Sequence, residues 1–275
     1  MPSNHADLAV TRVRHPLKFR LLQVKHIEPL TPHLARITFT GDELHDFTSA
    51  SFDDHLKVFF PAPGADKPVL PVAGPDGPVF PEGERPVARD YTPRRFDRNA
   101  GELVIDFVLH DVGPASDWAA QAQVGHYVGI GGPRGSFVIP DGFDWHLLIG
   151  DETALPAIGR RLEELPAGTR VAAVLEVRDP SAQIEFDTKA DLYAIWSYRS
   201  EQNSDGDSHE SGLLKAVRET FLPDGEGYVW AAGESATIRA VRQHLTAERG
   251  IDKSRIRAAS YWKRGAQAVH ESIDD

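Results

Sequence analysis

An arginine, a tyrosine and a threonine stand together at Arg89-Asp90-Tyr91-Thr92, just after a proline-rich stretch and on a predicted strand. Because residues i and i+2 of a strand share a face, Arg89 and Tyr91 are expected to point one way and Thr92 the other. A cation, an aromatic face and a hydroxyl are what a flavin needs at its pyrophosphate, its ring and its ring edge. The same residues also suit the solvent face of an ordinary barrel strand, and the segment alone leaves both interpretations open.

A second candidate segment begins at His110 and has the pattern of a strand–turn–helix connection. Gly113-Pro114 predicts a turn. Ser116 or Asp117 is expected to cap a short helix over Ser116–Gln123. The free N–H groups at such a helix start would suit a pyrophosphate, although a purely structural connection would have the same sequence.

The elements of the first half of the chain are predicted to be β-strands. Short β-branched or aromatic runs bounded by Gly, Pro or Asp lie at Arg36–Thr40, Leu56–Phe60, Leu103–Leu109 and Tyr127–Ile130. Several closely spaced strands favour a barrel or sandwich. The segment Pro61–Pro86 has eight prolines and is expected to be a long surface loop or flap that joins no sheet ladder.

The pattern changes near residue 142, where strands begin to alternate with helices. Strands are predicted at Trp145–Ile149, Arg170–Val177, Asp191–Trp196, Gly227–Ala232 and Arg255–Tyr261, and helices at Ala154–Leu165, Leu213–Phe221 and Thr237–Arg249. This alternation indicates βαβ units and a parallel sheet. We therefore predict an antiparallel β-barrel domain over 1–141, a parallel-sheet nucleotide-binding α/β domain over 142–275, and a flexible polar loop at Ser200–Ser211.

Composition excludes several classes of function. The chain has 275 residues, no cysteine, and 30 Lys and Arg against 41 Asp and Glu, a net charge of −11. The charge argues against a nucleic-acid binder or an anionic-membrane binder, and no cysteine means no thiolate metal site or thiol nucleophile. The twelve histidines show no metal-ligand spacing, and no hydrolase or P-loop motif occurs. With no secretory or spanning pattern, we expect a cytoplasmic protein without membrane insertion.

Taken together, the motifs resemble the siderophore-interacting protein family, which are FAD-dependent ferric-siderophore reductases of the ferredoxin–NADP reductase superfamily. The resemblance spans residue 16 to about residue 265. It is carried, in order, by Arg89–Thr92, His110 with Gly113–Ser116 and Trp118, Gly132–Ser136, Gly150–Pro156 and Tyr261–Gly265.

The resemblance implies cofactor contacts residue by residue. The residues expected to hold FAD are Arg89, Asp90, Tyr91, Thr92, Val108, His110, Ala115 and Ser116. Those expected to hold NADPH or NADH are Gly150, Asp151, Glu152, Thr153, Gly233 and Glu234, because an open sheet binds its ligand at the carboxyl ends of its strands. This loop lacks the Gly-x-Gly-x-x-Gly pattern, and Gly129-Ile-Gly131 is a decoy for it. Arg178 and Arg199 are both candidates for a 2′-phosphate.

The resemblance also implies an anion site for the ferric siderophore, made by Lys57, Arg134 and Lys263. An acidic protein that takes a triply anionic chelate needs such local cations. The implied activity passes electrons from NAD(P)H through FAD to Fe(III), with no side chain acting as acid, base or nucleophile. Two alternatives stay open: a siderophore-binding flavoprotein fed by another donor such as ferredoxin, and a general flavin or ferric reductase.

Overall fold

The computed structural model of the chain describes residues 8–75, 77–81, 85–110, 113–199, 211–265 and 271–273. It divides into two compact units, Val10–Ile139 and Pro140–Asp275, the latter taking in the N-terminal residues up to Ala9. Apart from Ser211, the polar loop predicted at Ser200–Ser211 lies outside the described residues.

The first unit is an antiparallel β-structure with one short helix. Its elements are β1 (Thr11–Arg14), β2 (Phe19–Thr31), β3 (Leu34–Thr40), β4 (Leu56–Phe59), β5 (Val72–Gly74), β6 (Gly77–Val79), β7 (Ala88–Tyr91), β8 (Arg95–Asp97), β9 (Glu102–Val108), α1 (Pro114–Ala120), β10 (Tyr127–Gly131) and β11 (Gly135–Val138). The main sheet has the order β7-β4-β10-β2-β3-β9-β8, and β1 pairs with β11. The predicted antiparallel architecture is confirmed.

The main sheet curls around one apolar core, as a barrel requires. Tyr91 on β7 packs against Phe107 on β9, with their ring centroids 4.5 Å apart, although the two strands are far apart in the sheet order. Alternate residues of the strands face inward, and Leu22, Ile37 and Ile105 are fully buried there. Trp118 of α1 closes one side of this core against Phe107.

The longest strand, β2, was not predicted, because the hydrophobic alternation stops after Val24. Beyond that point the sequence runs Lys25-His26-Ile27-Glu28-Pro29, which is mostly exposed. The strand continues because its pairing with β3 shifts register between Val24 and His26 and again between Pro29 and Thr31. Such bulges absorb residues that do not fit the pleat.

Two further expectations for this unit need correction. The helix α1 begins at Pro114 with Gly113 as its N-cap, so neither Ser116 nor Asp117 caps it; Pro is well suited to the first helical position because it has no N–H to satisfy. The proline-rich segment is not only loop, since β5 and β6 form a hairpin of their own in which Pro78 pairs with Ala73.

The second unit is an α/β structure. Its elements are β12 (Trp145–Asp151), α2 (Leu155–Glu164), β13 (Arg170–Val177), β14 (Asp191–Tyr198), α3 (Gly212–Glu219), β15 (Gly227–Glu234), α4 (Ser235–Gln243), β16 (Ile256–Trp262) and β17 (Glu271–Ser272). The sheet order is β14-β13-β12-β15-β16-β17, parallel except for the short β17. The predicted parallel sheet is confirmed, with an added antiparallel edge strand.

The order of this sheet places its switch point between β12 and β15. From β12 the chain steps outward to β13 and β14, and then returns to the other side of β12 as β15. Open sheets leave a crevice at the carboxyl ends of the strands at such a point. The predicted helix Thr237–Arg249 is α4 followed by a π-helical turn, His244–Glu248.

Candidate functional site

An open cleft of about 700 Å³ lies at the carboxyl ends of the parallel strands in the α/β unit. Asp151 ends β12, Glu234 ends β15 and Trp262 ends β16, and all three line the cleft. Its remaining wall is formed by Glu176, Arg199, Ser211, Leu213, Ser235, Ala236, Thr237, Arg239, Lys263 and Arg264. The cleft therefore occupies the position that the sheet topology assigns to a ligand.

Asp151 is the polar centre of this wall. Its side chain is buried and accepts hydrogen bonds from the backbone N–H of Thr153 at 2.9 Å and of Glu234 at 3.0 Å. It also accepts from the Thr153 hydroxyl at 2.5 Å and from the Trp262 indole at 2.7 Å. Burial raises the pKa of Asp151, while the bonds from Thr153 and Trp262 act in the opposite direction. Asp151 thus joins the ends of three strands.

Two glycines allow this close packing. A Cβ on Gly233, whose φ is +153°, would lie 2.7 Å from the Asp151 carboxylate. A Cβ on Gly150 would lie 2.7 Å from the backbone oxygen of Ala232 and 2.3 Å from the Ala154 side chain. Gly150 and Gly233 were predicted to contact the nucleotide. Close packing leaves no room for a side chain at either position, and neither residue lines the cleft.

The carboxylates around the cleft are already engaged. Glu234 caps α4 by accepting from the Thr237 backbone N–H at 3.0 Å. Although burial opposes the shift, the backbone N–H groups of Thr237, Arg264 and Ala236 hold the pKa of Glu234 below its usual range. Glu176 accepts from the Leu213 backbone N–H at 2.9 Å, at the start of α3. These acids fix the helix starts in the cleft wall.

Arg199 is the candidate 2′-phosphate cation that the fold brings to the cleft. It is ion-paired with Glu152 and lies 3.6 Å from Glu176. Arg178, the other candidate, is exposed and is not part of the cleft wall. An incoming phosphate would therefore compete with two carboxylates for the Arg199 guanidinium.

The cleft wall also contains two cations that have no acidic partner among the described residues. The side chains of Lys263 and Arg264 are exposed, and neither appears in an ion pair within the part of the chain that the structure describes. Arg239, by contrast, lies 3.5 Å from Glu271. Lys263 and Arg264 are therefore the groups most available to an anionic ligand.

In the barrel unit, the residues predicted to hold FAD cluster on β7 and at the end of β9. Arg89 and Tyr91 pair with Val58 and Leu56 of β4 and share their face of the sheet. The Arg89 guanidinium donates to the Ala88 backbone oxygen at 2.8 Å. Burial raises the pKa of the Tyr91 hydroxyl, with Arg89 opposing, so this hydroxyl stays protonated and able to donate. Thr92 is buried directly after the strand.

These groups have unused hydrogen-bonding capacity, which fits a flavin dinucleotide. Among the described residues, the Tyr91 and Thr92 hydroxyls and the His110 ring have no hydrogen bond, and Arg89 has no carboxylate partner. His110 is exposed, and Arg89 and Tyr91 are half-buried, so a ligand could reach these groups. A cation, two hydroxyl donors and an imidazole match the phosphates and the ring edge of FAD, so these residues would hold it there.

The other predicted FAD residues are packed more tightly. The Ser116 hydroxyl donates to the His110 backbone oxygen and accepts from the His110 backbone N–H, both at 2.8 Å. Ala115 is buried on α1 and Val108 ends β9. The His110 ring lies over Gly113, where a Cβ would be 2.9 Å from it. A role in FAD binding for these residues stays a prediction.

Lys57, predicted to bind the siderophore, and Asp90, predicted to bind FAD, form an ion pair with each other. The Lys57 ammonium donates to the Asp90 carboxylate at 2.7 Å across β4 and β7. Both side chains face away from Tyr91, because strand residues alternate. Arg134, between β10 and β11, is exposed and lies 3.9 Å from where a Cβ on Gly77 would be.

The decoy Gly129-Ile-Gly131 is structural. A Cβ on Gly129 would lie 2.0 Å from the Leu70 side chain, and one on Gly131 would lie 2.7 Å from Phe19. These glycines let side chains pack onto β10.

Several cleft residues were not singled out from the sequence: Glu176, Ser235, Ala236, Thr237, Arg239, Trp262 and Arg264. Only Trp262 and Arg264 stood inside a motif that carried the resemblance. The signal that could have found the others is position, since Glu176 lies at the carboxyl end of one predicted strand and the others follow the carboxyl end of another.

Two features are absent from the residues that the structure describes. In that part of the chain no helix is long and apolar enough to cross a bilayer. Nor do three or more of its His, Asp and Glu side chains come together as a metal site.

Comparison with known proteins agrees with the geometry. Residues 23–137 match the siderophore-interacting FAD-binding domain, and residues 143–265 match the siderophore-interacting protein model. The chain is 39% identical to the NADPH-dependent ferric-chelate reductase of Escherichia coli over 255 residues, 91% of this chain and 95% of that protein. It is 34% identical to the ferric vibriobactin reductase of Vibrio cholerae over 257 residues, 92% and 93% of the two chains.

A solved structure supports the same relationship. A siderophore utilization protein from T. fusca has a TM-score of 0.86 and 38% identity, covering 95% of this chain and 98% of its own. The barrel unit is an FAD-binding domain, and the chain belongs to the siderophore-interacting protein family.

Proposed function

We propose that this protein is a ferric-siderophore reductase that uses NAD(P)H and FAD to reduce Fe(III) held in an anionic chelate. The observation that carries the proposal is the cleft at the carboxyl ends of β12 and β15. Its wall contains Lys263 and Arg264, which have no ion pair among the described residues, and the chain also has an FAD-binding domain. The similar proteins named as ferric-chelate and ferric vibriobactin reductases support the same activity.

The chain's own residues bind and orient the reactants. In the α/β unit, Asp151 and Glu234 hold the strand ends that frame the nucleotide cleft. In the barrel unit, Arg89, Tyr91 and Thr92 present unused donors to FAD. When bound, FAD supplies the redox chemistry, since it accepts two electrons together and can release them singly.

The substrate is proposed to be recognised by charge. Lys57 and Arg134 in the barrel unit and Lys263 in the α/β unit each attract the anionic chelate, which a protein of net charge −11 would otherwise repel. Oxygen ligands hold Fe(III) more tightly than Fe(II), so reduction of the iron releases it from the siderophore. We place the reaction in the cytoplasm, where NAD(P)H is available.

The proposal is tested by an anaerobic visible spectrum of the FAD-loaded protein. NADPH and NADH are added in separate experiments, followed by a ferric triscatecholate. Bleaching by a nucleotide and recovery of the flavin colour with the iron complex are the expected results. Bound flavin that neither nucleotide bleaches would contradict direct NAD(P)H use and would indicate another donor such as ferredoxin. Bleaching without recovery on adding the iron complex would contradict ferric-siderophore reduction.

Removing two of the three proposed siderophore-binding cations is expected to weaken the binding of an anionic siderophore. For Lys57→Ala with Lys263→Ala, we expect the KM for ferric triscatecholate to rise about tenfold, because each lysine offsets part of the chelate's charge. Flavin content should not change. The measurement is steady-state reduction at fixed NADPH.

The matched control is Lys25→Ala with Lys253→Ala. Lys25 is an exposed strand lysine paired with Glu102 at 2.6 Å, much as Lys57 is paired with Asp90. The control changes net charge by the same amount. If both double variants raise the KM equally, the effect is one of overall charge, and the assignment of Lys57 and Lys263 is wrong.

A further inference from the structure

Trp262 has an unusual environment for a large aromatic residue. It ends β16 and keeps 36% of its surface exposed. Its indole N–H nevertheless donates to the buried Asp151 carboxylate at 2.7 Å. Removing this donor would leave a buried carboxyl oxygen without one of its partners, which is costly. Trp262 is therefore held in place by its N–H group as well as by the partial burial of its ring.

The backbone is shaped to make this contact. In the pairing of β15 with β16, Gly233 lies opposite Ser260 but Glu234 lies opposite Trp262, so Tyr261 is an extra residue at a bulge. Bulges redirect the side chains that follow them. Gly233 contributes from the other strand, because any Cβ there would meet the Asp151 carboxylate at 2.7 Å.

A second tether follows two residues later. The backbone N–H of Arg264 donates to the Glu234 carboxylate at 3.4 Å. Lys263 lies between the two tethers, with Trp262 fixed to Asp151 on one side and Arg264 fixed to Glu234 on the other. Lys263 lines the cleft with an exposed side chain that has no ion pair among the residues described here.

We propose that Trp262 and Asp151 are positioning residues for anion recognition: their hydrogen bond holds the segment 262–264 so that the Lys263 ammonium is presented to the anionic ferric siderophore. This deepens the proposed function and rests on it. The predicted contact of Asp151 with the nucleotide stays a prediction; in this structure its carboxyl oxygens accept four hydrogen bonds.

The test uses the FAD-loaded full chain and a redox-inert substrate analogue. Gallium(III) triscatecholate has the charge of the ferric complex but is not reduced, so calorimetric titration gives its Kd independently of catalysis. A neutral gallium(III) trishydroxamate serves as the uncharged comparison. The variants are Trp262→Phe, which keeps a ring but removes the N–H donor, Lys263→Ala, and the two combined.

We expect Trp262→Phe to raise the Kd for the anionic complex about fivefold and Lys263→Ala to raise it about tenfold. The double variant should match Lys263→Ala alone, because a residue that acts through Lys263 has nothing to position once Lys263 is gone. The Kd for the neutral complex should not change. Trp196→Phe is the matched control; Trp196 stacks on Phe186 in the same unit, outside the cleft wall.

Three results would overturn the inference. One is a Trp262→Phe protein with wild-type Kd, and another is a double variant whose effect is the product of the two single effects. The third is an equal loss for the neutral complex. A wild-type protein that binds the gallium complex but fails to reduce the ferric one would remove the proposed reductase activity and leave the positioning role standing.

Discussion

The Tyr91→Ala protein is expected to lose FAD during purification, with an affinity for added FAD at least about 100-fold below wild type, because truncating an aromatic side chain that anchors a binding site costs about 3 kcal/mol of binding free energy. The Tyr91 ring lies 4.5 Å from Phe107, at the edge where the sheet curls on itself. Its hydroxyl is protonated and has no partner in the described part of the chain. Flavin absorbance per protein and a fluorescence titration with FAD measure the loss.

Two variants separate flavin binding from barrel stability. Tyr91→Phe keeps the ring, so we expect it to retain FAD with a several-fold weaker affinity, since one hydrogen bond contributes about 1 kcal/mol. Phe96→Ala removes another partly buried aromatic of the same barrel, which packs on Phe47 at 4.9 Å. If Phe96→Ala loses as much FAD as Tyr91→Ala, or if Tyr91→Ala keeps stoichiometric flavin with an unchanged spectrum, Tyr91 is a barrel residue only.

The parts of the fold that follow from local pattern could be predicted. The strands β3 and β9 alternate cleanly, and the strand–helix alternation after residue 142 predicts the parallel sheet. What could not be predicted depends on partners distant in sequence. The second half of β2 is a strand only because β3 accepts its two register shifts, and β17 exists only because β16 lies beside it.

The same distinction applies to the candidate site. Sequence position indicated Asp151 and Glu234, since both end strands at the switch point. It could not indicate that Trp262 donates to Asp151, because the two residues are 111 positions apart and the contact depends on a one-residue bulge in β16. Lys57 and Asp90 were predicted as site residues from two separate motifs. Only the register between β4 and β7 shows that they are opposite each other.

The stability of the α/β unit is expected to fall in mild acid because of one buried histidine. His146 on β12 is 2% exposed, and its Nε2 has no hydrogen bond in the described structure. Burial, aided by the nearby Arg161, lowers the pKa of His146 to about 3. Since the unfolded chain takes up this proton near pH 6.5, the stabilising effect of neutral His146 is complete above pH 6.5 and declines as the pH falls toward 3.

Below pH 6.5 the slope approaches about 1.4 kcal/mol per pH unit, so the free energy of unfolding should fall by about 2 kcal/mol between pH 6.5 and 4.5 from this group alone. His146→Leu, which cannot titrate, should flatten the profile by that amount in denaturant titrations followed by tryptophan fluorescence. His26→Leu, which removes an exposed histidine of the barrel, should not. An NMR titration of His146 with a midpoint near pH 6.5 would contradict the argument directly, because a folded-state pKa equal to the unfolded one contributes nothing to the dependence of stability on pH.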